Sequence, residues 1–199
     1  MKKNSTADFT TYLELERLFL REVKPSDFSH LLDLDSDPEV VKYLSDGKAS
    51  TPDQIKSSLE RIQSLYEKFD HKLGFWIATE KQTDNFLGWF LLRPAKSDPA
   101  KVMDLVLGYR LKKDFWGKGY ASEMSKCLLQ KAFTELGARS VFATTMTENK
   151  ASQKVMKEIG MKFHSDYLET QFPGKNKNAV KFELVLADWK ALRINRMES

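Results

Sequence analysis

The sequence is poor in the residues that most often bind metals or form disulfides. It has one cysteine, Cys127, and three histidines in 199 residues. A single cysteine excludes an intrachain disulfide. Without His-x-x-x-His or Cys-x-x-Cys spacing, we expect no metal site. Cys127 falls among apolar neighbours in a predicted helix, which favours packing over catalysis.

Long hydrophobic runs are also missing. No run approaches the 18 or so apolar residues of a membrane span, and residues 1–10 lack the apolar centre of a signal peptide. We therefore predict a cytoplasmic protein with no membrane partner. The composition, 41% hydrophobic and 30% charged, is that of an ordinary globular protein. We expect a flexible tail over residues 1–12 and a single domain over residues 13–199.

The charge is unevenly distributed along the chain. Residues 1–100 carry 14 Lys and Arg against 17 Asp and Glu, a balance of −3, whereas residues 101–199 carry 18 against 11, a balance of +7. A polyanionic ligand would bind more favourably to the second half. Surface lysines that only maintain solubility would give the same bias. So would nucleic acid, but without a basic helix or a recognised motif we expect none as a partner.

The order of predicted elements indicates a mixed α/β fold. A strand near residue 17 and several helices are followed by three strands without an intervening helix, which implies an antiparallel meander. A helix over about 121–136 then leads to a strand at 140–145. This crossover places that strand parallel to the one before the helix. A helix from Lys150, two strands at 161–170 and 179–187, and a helical turn at 189–194 complete the chain.

A loop with two glycines follows the third strand of the meander, Val102–Leu111. Gly117-Lys118-Gly119 comes just before the predicted helix at Ala121. Glycine permits positive φ and close approach of a ligand to the backbone. The first N–H groups of a helix have no intrahelical partner, and with the helix dipole they attract anions. The segment therefore indicates a phosphate-binding loop, although an ordinary turn with a helix cap would have the same residues.

The residues around this loop resemble a known family. Gly108-Tyr109, Trp116-Gly117-Lys118-Gly119-Tyr120-Ala121 and Glu123 resemble the acetyl-CoA loop of the GNAT N-acetyltransferases, especially the ribosomal-protein N-terminal acetylases. The first position of the general motif, Arg or Gln, is Asp114 here. The resemblance covers about Arg17 to Trp189. It implies a mixed, mostly antiparallel sheet with a splayed parallel strand pair and helices on both faces.

The resemblance also implies which residues bind acetyl-CoA, the expected cosubstrate. Main-chain groups of the third meander strand would pair with the pantetheine arm, and loop amides would bind the diphosphate. Asn149 would contact the cofactor, although a simple helix cap would explain it equally. Lys118, Lys150 and Lys154 could meet phosphates. The expected binding residues are Leu107, Tyr109, Leu111, Trp116, Gly117, Lys118, Gly119, Tyr120, Ala121 and Asn149.

Catalytic side chains are harder to place. The tyrosine that many relatives use as an acid corresponds to Met156, and Ser152 is the nearest hydroxyl. The glutamate that relatives often use as a base corresponds to Val106. Asp104, on the same side of the strand, and Glu148, after the parallel strand, are the candidate bases. For all three candidates, an ordinary solvated role is the alternative.

The sequence thus favours an acetyl-CoA-dependent N-acetyltransferase that transfers the acetyl group directly in a ternary complex. The acceptor would be a primary amine, on a protein N-terminus or a small molecule, and the protein a monomer or homodimer. A non-catalytic acyl-CoA sensor or scaffold protein with the same fold is the alternative, since the positions of Met156 and Val106 lack the usual catalytic residues.

Overall fold

The computed structural model describes residues 10–44, 48–95, 103–170 and 177–197, with only the backbone for 195–197. The helices are α1 (Phe28–Leu34), α2 (Pro38–Val41), α3 (Pro52–Lys68), α4 (Tyr120–Thr134), α5 (Lys150–Glu158) and α6 (Leu186–Met197). The strands are β1 (Thr11–Glu14), β2 (Leu18–Glu22), β3 (Gly74–Glu80), β4 (Phe86–Pro94), β5 (Asp104–Leu111), β6 (Ser140–Met146), β7 (Lys162–Leu168) and β8 (Asn178–Val185).

The eight strands form one sheet in the order β1-β2-β3-β4-β5-β6-β8-β7. The three strands β3, β4 and β5 make the predicted antiparallel meander. Helix α4 then crosses over so that β6 lies parallel to β5, whereas the other neighbours in the sheet are antiparallel. The predicted mixed, mostly antiparallel sheet is therefore confirmed.

Helices cover both faces of this sheet, and each face has its own hydrophobic cluster. On one side, which we call the α4 face, Leu105 and Leu107 pack with Met124 of α4 and Met156 of α5. On the other side, which we call the α3 face, the sheet packs under helices α1 and α3. Alternate residues of a strand point to opposite faces, so one strand contributes to both clusters.

Helix α3 shows how local sequence sets an element boundary. Thr51 caps the helix by accepting the N–H of Gln54 at 3.3 Å, while the Gln54 side chain accepts the N–H of Thr51 at 2.7 Å. Pro52 occupies the first helical position, where its missing N–H costs nothing. The helix buries its apolar stripe on the α3 face, as the sequence spacing predicts; the buried residues are Ile55, Leu59, Ile62 and Tyr66.

Some boundaries differ from the sequence-based expectations. Strand β1 begins at Thr11, inside the segment 1–12 that we expected to be a flexible tail. Tyr12 explains this, because its ring stacks on Trp76 at 3.9 Å and its hydroxyl donates to the carbonyl of Lys72 at 2.8 Å. Val102, predicted as the start of a strand, lies outside the described residues. So do residues 173–176 of the polar turn that the sequence predicts over 173–178.

The described helices include none with the length and apolar character that crossing a membrane requires. Cys127 is half-buried on α4, and burial raises the pKa of its thiol. A raised pKa lowers the fraction of reactive thiolate, in agreement with the expected packing role.

A buried ion pair ties β2 to the start of α1. Arg21 donates to both carboxylate oxygens of Asp27, at 2.8 Å and 2.6 Å, and Asp27 also accepts the N–H of Lys24 at 2.8 Å. Burial alone would raise the pKa of Asp27, but the hydrogen bonds and charge of Arg21 outweigh it, so the pKa lies below the ordinary value of 3.8. The pair is almost fully enclosed and holds α1 against the sheet.

Replacing Asp27 with Asn should therefore reduce the free energy of unfolding by about 3–5 kcal/mol at neutral pH, because Arg21 would remain buried without its counter-charge. Since the folded-state pKa of Asp27 is depressed, this stabilisation is present above pH 3.8 and is lost as the pH falls through the folded value. Urea unfolding from pH 7 to pH 3 should show that the free energies of unfolding of the unaltered protein and of Asp27→Asn converge.

Asp53→Asn, at an exposed pair with Lys56, is the control and should lower the free energy of unfolding by about 1 kcal/mol at most. An equal effect of both changes would contradict this account.

Candidate active site

The parallel strands β5 and β6 diverge after three paired positions. They pair at Asp104–Ser140, Leu105–Val141 and Val106–Phe142. Beyond this point β5 stays with β4 as far as Leu111, and β6 stays with β8 as far as Met146. A gap therefore opens between β5 and β6 at their carboxyl ends, and none of the described strands lies on that side of the β5 main chain there.

The direction of the main-chain groups along β5 follows from two hydrogen bonds to its other neighbour. The carbonyl of Asp104 accepts from Ala95, and the N–H of Lys112 donates to Leu87, both at 2.8 Å. Since the direction alternates along a strand, even-numbered residues of β5 face β4, while Leu107, Tyr109 and Leu111 face the gap. The Leu111 carbonyl accepts from the indole of Trp116 at 2.8 Å. Tyr109 thus presents its N–H and C=O where an extended ligand could pair with them.

The side chain of Tyr109 closes the gap on the α4 face. Its hydroxyl lies 3.2 Å from the Oγ of Ser152 on α5, and its ring packs against Phe90. Burial raises the pKa of Tyr109 to about 12, partly opposed by the hydrogen bond with Ser152, so the phenol is neutral at physiological pH. On the α3 face the neighbouring residue is Gly108, which adds no side chain.

The predicted glycine loop leads directly from β5 to α4. A short 3-10 turn over Lys113–Phe115 comes first, and Gly117 and Gly119 then adopt φ values of +72° and +83°. These left-handed conformations favour glycine. A Cβ at Gly117 would have no atom within 4 Å, and one at Gly119 would lie 3.6 Å from Arg17. The space in front of the loop is therefore open.

The N-terminus of α4 is uncapped. Gly119 is the N-cap and supplies no side chain, and the first helical hydrogen bond runs from the N–H of Glu123 to the Gly119 carbonyl at 2.9 Å. The N–H groups of Tyr120, Ala121 and Ser122 consequently have no carbonyl of an earlier turn to bind. With the partial positive charge of the helix end, these N–H groups favour the binding of an anion.

Hydrogen bonds to distant parts of the chain stabilise the loop, and the sequence does not predict them. Arg17, at the start of β2, donates to the Lys118 carbonyl at 3.0 Å and from Nε to Glu123 at 2.8 Å. The Tyr120 hydroxyl donates to Glu80 on β3, which raises the pKa of Tyr120. These partners lie roughly 40 and 100 residues away along the chain, and no local pattern could have connected them.

The remaining predicted binding residues lie on the glycine loop and at the start of α5. Asn149 caps α5, accepting the N–H of Ser152 on its side-chain oxygen at 3.1 Å. This is the cap expected from the sequence, and it brings Asn149 and Ser152 together beside Tyr109. Trp116 and Lys118 are exposed on the loop, and Lys150 and Lys154 are exposed on the first turns of α5.

The three catalytic candidates are not brought together. Ser152 lies at the gap. Glu148 is exposed and sits between the end of β6 and Asn149, near the same opening. Asp104 is at the other, paired end of β5, roughly 16 Å from Tyr109 at about 3.3 Å per residue. It binds Arg139 at 2.7 Å and Ser140 at 3.1 Å. The structure therefore separates Asp104 from the other two candidates.

Met156, which occupies the position of the tyrosine of many relatives, is buried in the core below α5. Among the described residues, no group of three His, Cys, Asp or Glu side chains is arranged as metal ligands would be.

This arrangement agrees with the comparison with known families. Residues 17–162 match the model of the acetyltransferase (GNAT) domain, so the chain belongs to the GNAT acetyltransferase family. The family resemblance seen in the sequence is confirmed.

Individual proteins show the same likeness. The chain is 31% identical over 167 residues to an FsC-acetyl coenzyme A-N(2)-transacetylase from Aspergillus fumigatus, covering 78% of this chain and 68% of that protein. Its fold matches that of a ribosomal-protein-S5-alanine acetyltransferase from Vibrio fischeri (TM-score 0.72, 17% identity, 90% and 98% of the two chains). It also matches a spermidine N-acetyltransferase from Vibrio cholerae, solved with CoA and spermine (TM-score 0.69, 16% identity, 88% and 99%).

The loop glycines provide a direct test of the anion site. The double change Gly117→Ala and Gly119→Ala should weaken acetyl-CoA binding at least about a hundredfold, because two Cβ atoms would enter the open space before the helix N-terminus. Isothermal titration calorimetry would measure the loss.

Gly137→Ala is a matched control for strain. Gly137 also has a left-handed φ, +68°, and also has open space around its Cβ position, but it follows the opposite end of α4. It should lose stability, by about 1–2 kcal/mol as expected for a left-handed alanine, and still bind acetyl-CoA normally. Unchanged affinity in the double variant would remove the loop from the binding site.

Proposed function

We propose that the protein is an acetyl-CoA-dependent N-acetyltransferase that passes the acetyl group directly to a primary amine in a ternary complex. The observation that carries this proposal is the gap between β5 and β6, which opens beside the uncapped N-terminus of α4. Together they offer a main-chain edge for an extended arm and an anion site for a diphosphate. Acetyl-CoA has both features, joined in one molecule.

In this proposal the pantetheine arm lies in the gap and pairs with β5 as an additional strand. Leu107 and Tyr109 provide the main-chain groups, with Leu111 at the far end already bonded through its carbonyl to Trp116. The diphosphate is bound by the amides of the loop and the first turn of α4, and Lys118 adds positive charge. The loop and helix residues concerned are Trp116, Gly117, Lys118, Gly119, Tyr120 and Ala121.

The chemical step forms a C–N bond and breaks a C–S bond. A neutral amine attacks the thioester carbonyl, and an N–H of β5 stabilises the negative charge that develops on the carbonyl oxygen. The tetrahedral adduct then expels the CoA thiolate, which takes up a proton, while the amine loses one. Holding the two reactants in position supplies much of the rate.

Ser152 is the group best placed to give the thiolate its proton. Its main chain is fixed by Asn149 and its Oγ by the Tyr109 hydroxyl, so the hydroxyl is oriented at the side of the gap. Tyr109, neutral because its pKa is about 12, can in turn pass a proton to Ser152. Asn149 would then combine two roles, as the cap of α5 and as a contact for the cofactor.

Of the two candidate bases, Glu148 is the better supported by position. It lies at the carboxyl end of β6, where an acceptor amine would meet the thioester, and could accept the amine proton through water. Asp104 is engaged with Arg139 and Ser140 at the opposite end of β5, and we assign it no part in the reaction.

An amine acceptor is supported by the names of the relatives. The Aspergillus protein is described as an N(2)-transacetylase, and the two Vibrio enzymes as acetylating spermidine and the alanine of a ribosomal protein. These acceptors include both a small molecule and a protein, so either kind of primary amine is compatible with the proposal. The cytoplasmic location and the monomeric or dimeric state remain predictions.

A panel of amines distinguishes this proposal from the alternative of a non-catalytic acyl-CoA binder. That alternative is based partly on Met156, which stands at the position of the usual tyrosine acid. Polyamines, amino acids and short peptides with different N-terminal residues should be incubated with protein and acetyl-CoA. We expect release of free CoA thiol with at least one amine and none without amine, and mass spectrometry should show the acetylated product. Binding of acetyl-CoA without product from any amine would favour the sensor or scaffold function.

Ser152→Ala should lower kcat roughly a hundredfold, the lower range for removing a general acid, without weakening acetyl-CoA binding. Thr134→Ala removes another helix hydroxyl, at the distal end of α4 where it donates to Gln130, and should leave kcat unchanged. Rates of thiol release with the preferred amine would measure both. An unchanged kcat in Ser152→Ala would exclude Ser152 as the acid.

A further inference from the structure

The proposed diphosphate site contains an acidic residue, Glu123. It lies in the first turn of α4, and its N–H makes the first helical hydrogen bond to Gly119. A carboxylate at a helix N-terminus stabilises the helix. The same negative charge opposes a polyanion bound to the neighbouring amides. A functioning diphosphate site at this position therefore needs something that offsets Glu123.

Arg17 is in contact with Glu123 and with the loop. Its Nε donates to Oε2 of Glu123 at 2.8 Å, its Nη2 forms an ion pair with the same oxygen, and its Nη1 donates to the Lys118 carbonyl at 3.0 Å. The guanidinium lies 4.4 Å from the centre of the Tyr120 ring. Nη2 is also the atom 3.6 Å from the position of a Cβ on Gly119. Arg17 thus lies at the edge of the open space before the helix.

We propose that Arg17 is a positioning residue for acyl-CoA binding, which acts by neutralising Glu123 at the N-terminus of α4. The inference rests on the proposed function, since it takes the anion at this site to be the cofactor diphosphate. Arg17 immediately precedes β2, remote in sequence from the loop. It places positive charge here although the first motif position is Asp114. Nothing about Arg17 in the sequence alone distinguishes it from a surface arginine at the start of a strand.

The geometry indicates that this pair matters more for binding than for folding. The side chains of Arg17 and Glu123 are 44% and 28% exposed, and ion pairs this accessible contribute little to stability. Their effect on a bound polyanion is larger because the interaction grows with the charge on the ligand. Removing Arg17 leaves the negative charge of Glu123 unbalanced, whereas removing both charges returns this pair of positions to zero net charge.

Four proteins test this: the unaltered chain, Arg17→Ala, Glu123→Gln and the double variant. Acetyl-CoA dissociation constants would be measured by calorimetry at low and high salt. Arg17→Ala should bind about tenfold more weakly, a change of about 1.4 kcal/mol, and the difference should shrink at high salt. Glu123→Gln should bind at least as tightly as the unaltered protein, and the double variant should recover to within about threefold of it.

Recovery in the double variant is the decisive result, because a purely structural role of Arg17 would not be rescued by removing its partner. If the double variant binds as weakly as Arg17→Ala, or if Arg17→Ala binds normally, the inference is wrong. Lys162→Ala, which breaks another exposed pair between elements, with Asp188 at 2.8 Å, is the control and should bind normally. Thermal unfolding of each variant would verify folding.

The same proteins separate this inference from the proposed function. No acetyl-CoA binding by the unaltered protein would refute both. Binding that follows the pattern above, together with no transfer to any amine, would refute only the catalytic proposal, because the pattern depends on the diphosphate and not on the acetyl group.

Discussion

The requirement that main-chain N–H and C=O groups find hydrogen-bond partners shapes this molecule more than any side chain does. Within the sheet, β5 meets that requirement on its β4 side along its whole length. On its other side it is met by β6 only up to Val106. Beyond Val106, the Leu111 carbonyl is bonded to the Trp116 indole, and the main-chain groups of Leu107 and Tyr109 are the ones that water or a ligand could bind. Under the proposed function, a sheet that separates in this way provides a binding edge made of main-chain groups, and such an edge suits an extended ligand.

The divergence has a cause in the connections on either side. After Val106–Phe142, β6 remains paired with β8 for four more residues, and the chain then turns into α5 at Asn149. Strand β5 instead continues to the glycine loop, where the Trp116 indole donates a hydrogen bond to the Leu111 carbonyl. Each strand is thus held by its outer neighbour and by the element that follows it. The bond between Tyr109 and Ser152 bridges the resulting space on the α4 face and fixes its width.

The sequence revealed the parts of the site that are local. Two glycines between a strand and a helix predict the loop, and Asn149 before an amphipathic segment predicts the cap, because both effects act within a few residues. Asp104 could be assigned from the sequence to the correct side of its strand. Its distance from the gap could not be predicted, because that distance depends on where the pairing of β5 with β6 stops. Arg17, Glu80 and the stacking of Tyr12 on Trp76 depend on contacts over tens of residues, for which the sequence has no local signal.

The two faces of the sheet would have different roles in the proposed reaction: one would enclose the thioester, and the other would bind the acceptor. On the α4 face, Tyr109 and Ser152 close the gap with partly buried, hydrogen-bonded groups, so a thioester held there would be shielded from that side. On the α3 face, β5 presents Gly108, and Leu91 fills the space that a side chain at this position would need, with Cδ2 only 3.0 Å from a Cβ placed there. The next residue on this face, Arg110, is held by Asp35 at the end of α1 and lies over Trp89, which links the helical wall to the same strand. The residues that would bind the cofactor therefore belong to β5, the glycine loop and the starts of α4 and α5. Under the same proposal, the surface that would select the acceptor is built by helices of the first half of the chain.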